Sequence, residues 1–207
     1  MAVTLPKLFI IESLNLEDEA HHREGEIISS VLRMTGHEPI YRYVRTRAEL
    51  SHFINEFRRS RYRWLHLSVH GNHDLIALTL DQLNAEQFAS IVGPALDDRR
   101  RLFLSTCKAA TAELAEAIFQ QGRCLSVVGP VKTIRFGDSA IFWASFYHLM
   151  LKQNGRRMLG TEIEKVIAKM GTAVERQFRL IKPDADRKAI ERLLPEKLPK
   201  RDGKKKR

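Results

Sequence analysis

Two residues of this chain carry the chemistry of nucleophilic catalysis and stand where an α/β fold would present it. His70 follows the apolar run Trp64-Leu65-His66-Leu67-Ser68-Val69, and Cys107 follows Arg101-Leu102-Phe103-Leu104-Ser105-Thr106. A thiol attacks as its thiolate, and an imidazole within hydrogen-bond reach favours that form by taking the proton. Both runs read as strands. In an open α/β sheet, ligands gather outside the carboxyl ends of the strands. Neighbouring parallel strands would therefore set the imidazole and the thiol at one edge. A helix expected after Cys107 would place its positive N-terminal end near the thiolate. Gly71, directly after His70, permits close approach of a substrate and offers an N–H to its carbonyl. On position alone the plainer readings stand beside this one: a buried inert thiol and a surface turn histidine.

The surrounding pattern supplies the elements that would position the pair. Lys7–Ser13 is a compact apolar run of the kind buried on both faces of a sheet, and Glu12 falls at its end. A helix is expected from about Glu19 to Met34 with Gly36 as its stop, then a strand at Pro39–Val44. Thr46 is placed to cap the next helix, and Arg58–Arg63, with four arginines, reads as a solvated face and turn, with a basic patch as the alternative. After the His70 strand, Leu75–Leu80 suits a short extra strand or hairpin arm, and Asn84 a helix cap. After Cys107 come an alanine-rich helix to Gln121 with Gly122 as its stop, and a strand at Cys124–Val128 broken at Gly129-Pro130. A helix over Ala140–Lys152 is expected to be capped by Asp138 or Ser139, and a last one to run from Thr161 to about Phe178. Five strand–helix alternations with short connections indicate a mostly parallel sheet with helices on both faces.

Composition bounds the function classes. A chain of 207 residues with 43% hydrophobic and 29% charged residues describes a globular protein. No apolar run approaches the ~20 residues that span a bilayer, and no signal-peptide layout opens the chain. The two cysteines, without an export signal, argue for a reducing compartment, with the cytoplasm as the expected location. Of the net charge of +10, residues 187–207 supply +7, from ten Lys/Arg against Glu191, Glu196 and Asp202. The expected organisation is one domain over 1–182 and a basic, mobile tail over 183–207. Such a tail would solubilise the protein or touch nucleic acid or acidic partners weakly.

The segments Leu65–Gly71 and Leu102–Cys107 resemble the two catalytic blocks of caspase-like cysteine peptidases, and most of all those of the CHAT branch. That branch pairs an apolar strand ending in His-Gly with one ending in a small polar residue and Cys. The resemblance continues through Ala112–Phe119 with Gly122, Ser126–Pro130 and Ala140–Leu151. It implies a caspase-haemoglobinase-like three-layer sandwich and peptide hydrolysis through an acyl-enzyme. Cys107 would be the nucleophile, His70 the general base and acid, and the N–H groups of Gly71 and Cys107 the oxyanion hole. No metal or organic cofactor follows from it. The implied partners are a protein substrate and a separate sensor or regulator in signalling or defence. Glu12, Ser105, Arg135 and Asp138 are the candidates for reading substrate, beside the plainer readings of Glu12 as a capping or surface carboxylate and of Arg135 and Asp138 as a mutual or capping contact. Ser105 replaces the acidic residue that many caspase-like enzymes carry two before the cysteine, and Lys108 follows it, so a basic residue at the cleavage point is not implied.

Other matches carry less. Gly71-Asn72-His73-Asp74 matches one fragment of the calcineurin-like metallophosphoesterase signature, but the other ligand blocks that two metals require are missing. His66 and His70 would lie about 13 Å apart along a strand, too far for one zinc, so His66 reads as a core histidine. No Gly-rich phosphate loop follows any strand. The competing function class is a non-catalytic caspase-fold interaction module whose basic tail contacts nucleic acid or an acidic partner.

Overall fold

The computed structural model describes residues 5–97, 99–106, 110–154 and 158–198. The strand β1 (Leu5–Ser13) forms because Leu8 to Ile11 leave no polar face, and all four side chains are buried. Chain order then gives α1 (Glu24–Met34), β2 (Ile40–Tyr43), α2 (Arg47–Ser60) and β3 (Tyr62–Gly71). The short strands β4 (Leu75–Ala77) and β5 (Gln82–Asn84) follow, then α3 (Ala85–Val92), β6 (Arg101–Ser105), α4 (Ala112–Gln121) and β7 (Val127–Pro130). The chain closes with α5 (Phe136–Asn154), α6 (Gly160–Ala173), β8 (Phe178–Pro183) and β9 (Ala189–Leu194).

The main sheet runs β2-β1-β3-β6-β7-β8-β9, with β4 and β5 branching from the end of β3. Its first five strands are parallel, and β8 and β9 are antiparallel. The protein is therefore α/β, with helices on both faces of a mostly parallel sheet. On one face α2, α3 and α4 cover Phe9, Ile11, Leu65, Leu67, Leu102 and Leu104. On the other, α1, α5 and α6 cover Leu8, Ile10, Trp64, Phe103, Val128 and Leu180. Alternate residues of each strand serve alternate cores, as the period of two requires. The second core is rich in aromatics: the rings of Phe142 and Phe178 stack at 3.7 Å, and Phe103 meets Tyr147 edge-on at 5.5 Å. Among the described residues no helix is long and apolar enough to cross a membrane.

Helix ends follow the expected chemistry in part. Thr46 and Glu49 close a capping box on α2, and Asn84 and Gln87 close one on α3; such caps contribute about 1 kcal/mol each. The helix starting at Phe136 takes Asp138 and Ser139 into its first turn instead of using either as its cap. The last helix stops at Ala173, and Phe178 opens β8. The expected boundary at residue 182 is corrected by this hairpin: Phe178–Pro183 pairs with Ala189–Leu194, so the sheet continues through residue 194. Its turn is closed by Asp184, which accepts from the backbone N–H groups of Asp186 and Lys188. Residues 199–207 lie outside the described residues.

Candidate functional site

The strands of the two catalytic candidates are direct neighbours. β3 and β6 pair in parallel from Trp64 opposite Arg101 to Ser68 opposite Ser105. His70 lies two residues beyond Ser68 on β3. Cys107, two residues beyond Ser105 in the sequence, lies outside the described residues, as does the N–H it was expected to give an oxyanion hole. The parallel strands reverse their order of connection between β1 and β3, the switch point at which α/β sheets open a crevice for ligands. His70 stands at that point.

Along β3 the residues Trp64, His66, Ser68 and His70 share the face toward α1 and α5, and they pass from apolar core to open edge. Trp64 and His66 are buried, Ser68 is buried, and the His70 side chain is 31% exposed. The His70 ring is held by the segment that follows β1. Its Nε2 lies 3.1 Å from Asp18 Oδ2, while the other oxygen, Oδ1, lies 2.9 Å from His22 Nδ1. Asp18 is placed there by a local turn in which its N–H donates to Asn15 Oδ1 at 2.8 Å. Glu19 anchors the same turn to the edge of the sheet, accepting from Tyr43 Oη at 2.9 Å and from Arg45 Nε and Nη2 at 2.8 and 2.7 Å. The Arg45 hydrogen bonds hold the Glu19 carboxyl below its ordinary range. Phe136, the first residue of α5, closes the other side. Its ring meets His70 edge-on at 5.5 Å and stacks on His22 at 4.5 Å.

An Asp–imidazole contact of this kind fixes ring orientation and tautomer, leaving the other nitrogen for proton transfer. The sequence reading missed Asp18, His22 and Phe136. The only signal for Asp18 is the acidic run Glu17-Asp18-Glu19 after an expected strand.

Of the expected substrate-reading residues, Glu12, Ser105 and Asp138 are engaged by other side chains. Glu12 is fully buried, not at a pocket wall. It accepts hydrogen bonds from Gly25 N at 2.8 Å, Tyr41 Oη at 2.8 Å and Ser68 Oγ at 3.3 Å. Burial, opposed by these bonds, raises its pKa to about 7. Ser105 is 8% exposed, and its Oγ is taken up by Glu24 Oε2 at 2.9 Å and Ser139 Oγ at 2.7 Å. Asp138 lies 3.9 Å from Arg176 Nη2, and Arg135 is exposed on the turn before α5. Gly71 pairs with Ile76 of β4. His66 is the core histidine expected, with Nδ1 2.9 Å from Tyr147 Oη. Its Nε2 faces Glu24 Oε1 at 3.4 Å, and neither atom makes a hydrogen bond. Cys124 is buried against the Ser126 carbonyl, and burial raises its thiol to about 11, so it is inert as a nucleophile.

No protein-family model matches this sequence, and no curated protein matches it.

Proposed function

We propose that the chain is a cysteine peptidase of the caspase-like, CHAT type, with a caspase-haemoglobinase-like sandwich as its fold. In this reading the thiolate of Cys107 attacks the scissile carbonyl and forms a C–S bond. His70 accepts the thiol proton and returns it to the leaving amine as the C–N bond breaks. Water, deprotonated by the same imidazole, then releases the acyl group and restores the thiol. The observation that supports the reading best is the placement of His70. It stands at the switch-point edge, oriented by Asp18, on the strand directly beside the one that leads in sequence to Cys107. Asp18 is a positioning residue in this scheme. Gly71 and the backbone at Cys107 supply the oxyanion donors. The substrate is a segment of protein chain.

Thiol alkylation tests this directly, because Cys124 is buried and stays silent in the folded protein. Iodoacetamide should label the folded chain at a single position and fail on Cys107→Ala. His70→Ala should slow labelling near neutral pH at least tenfold. Asp18→Asn should shift the pH profile of labelling more than its plateau, which a merely structural role would not do. Labelling rates unchanged in folded His70→Ala protein would remove the dyad.

A further inference from the structure

The arginines at 58–63 have no part in the proposed site, and the fold does not leave them on their own. Arg58 and Arg59 lie in the last turn of α2, Arg61 between α2 and β3, and Arg63 in β3, at the amino-terminal edge of the parallel strands, opposite the edge that carries His70. The turns leading into β6 and β7 reach the same edge, because β3, β6 and β7 are parallel neighbours. Backbone bonds stitch the last two turns together: Arg123 N donates to the Leu96 carbonyl at 2.8 Å and Leu125 N to that of Arg100 at 2.9 Å.

Arg100 ties in the first turn. Its buried guanidinium lies over the Phe57 ring at 4.4 Å and donates to the carbonyls of Ala95 at 2.6 Å and Arg58 at 3.0 Å. Burial lowers its pKa, with Asp97 opposing that shift and the charge of Arg58 adding to it. Asp97 stands 3.5 Å from Arg100 Nε. One buried cation thus holds together turns that are themselves cationic. Residues 58–63, 97–101 and 122–126 contain eight arginines and no lysine, against Asp97 and Asp98. Arg58, Arg59, Arg61, Arg99 and Arg123 are exposed.

We propose that this arginine edge binds the phosphate backbone of duplex nucleic acid without reading base sequence. The guanidinium fork matches a phosphate through paired hydrogen bonds, where an ammonium offers only a point charge. Bases of a single strand would need exposed aromatic rings to stack on. The rings at this edge are otherwise engaged: Phe57 and Trp64 are buried, and Tyr62 is half-buried with the Lys7 ammonium 5.8 Å from its centroid. A lipid surface would need apolar side chains to insert. Among the large apolar residues of these three turns, only Leu125 is exposed, at 37%.

Fluorescence anisotropy of the full chain with a labelled DNA duplex of about 20 base pairs tests the proposal across a salt series. Log affinity should fall linearly with log salt, with a slope of about −4 for four to five phosphate contacts. Arg58→Gln/Arg59→Gln should weaken binding about tenfold and flatten the slope by about 2. Arg99→Gln, from a different turn, should flatten it by about 1, which keeps a readout if the double variant misfolds. No binding at the lowest salt would overturn the proposal. So would loss of binding on Lys204→Gln/Lys205→Gln/Lys206→Gln with no effect of the arginine variants. Tighter binding to phosphatidylserine vesicles or to polyglutamate than to the duplex would overturn it as well. Alkylation of Cys107 is expected to be unchanged in the arginine variants, so this inference stands or falls apart from the peptidase reading.

Discussion

Glu12 couples its own titration to the stability of the whole fold. In the unfolded chain its carboxyl ionises near 4.5, and in the fold only near 7, chiefly because burial penalises the charge. The folded state therefore holds an extra proton across that window. Its contribution to stability is full below the unfolded value and declines as pH rises through the folded one, by up to about 3 kcal/mol. Glu12→Gln should remove that decline, so that urea midpoints measured at pH 5 and pH 8 converge relative to the parent. An unaltered pH slope in the variant would place the titration elsewhere. The same residue shows why site geometry was only partly legible. His70 could be found because strand, turn and glycine signals are local. The burial of Glu12 depends on Gly25 and Tyr41, which reach it from α1 and β2. Asp18 was hidden for a similar reason: nothing in Glu17-Asp18-Glu19 says which carboxylate folds back over a strand fifty residues away.

At the scale of elements, Gly122 has a different role from the one its position suggests. It ends α4, as the sequence indicates, but its backbone is extended, with φ −152° and ψ 179°, a conformation open to any residue. Glycine is needed because a Cβ there would overlap the Gly93 carbonyl oxygen and stand 2.9 Å from that of Leu96. Gly122→Ala should cost about 1–3 kcal/mol through forced separation of α4 from the turn after α3. Gly137→Ala is the comparison: its Cβ meets nothing within 4 Å in the first turn of α5, and alanine is the better helix former. Urea unfolding of both variants checks the contrast, which fails if the two midpoints move together. Four of the five parallel strands were legible as short apolar or alternating runs bounded by turn or helix signals, but β7 was misplaced: Gly129 and Pro130, read as a break, lie inside Val127–Pro130. The hairpin β8–β9 was not legible, because the charge of residues 187–207, Glu191 and Arg192 among them, reads as a basic tail. Glu191 and Arg192 suit the rim of a sheet, where one side of the strand faces solvent.

For the whole molecule, the hairpin sets one rim of the described sheet. It extends the sheet past β7 through residue 194, into the stretch that charge alone marked as a tail. It also lends a side chain to the rest of the fold: the Arg187 guanidinium donates to the carbonyls of Phe119 and Gly122 at the end of α4. Among the described strands β9 pairs only with β8, so it forms a rim of the sheet, where the Ala189 N–H donates to Glu116 Oε1 at 3.0 Å. Ile190 and Leu193 are exposed on it, at 58% and 37%. Charges occupy the rest: Glu191 pairs with Arg179 at 3.3 Å, and Arg192 reaches Glu164 at 2.7 Å and Glu196 at 3.2 Å. Such charges resist docking of a second, identical rim, since burying them would strip their water. Glu191→Val/Arg192→Val should therefore let two copies join rim to rim into one continuous sheet. Light scattering against concentration would show the rise in mass, and a concentration-independent mass would refute it. The ion pairs of β9 thus act less as struts for the fold than as a guard on its open rim, keeping one copy's sheet from becoming the next copy's template.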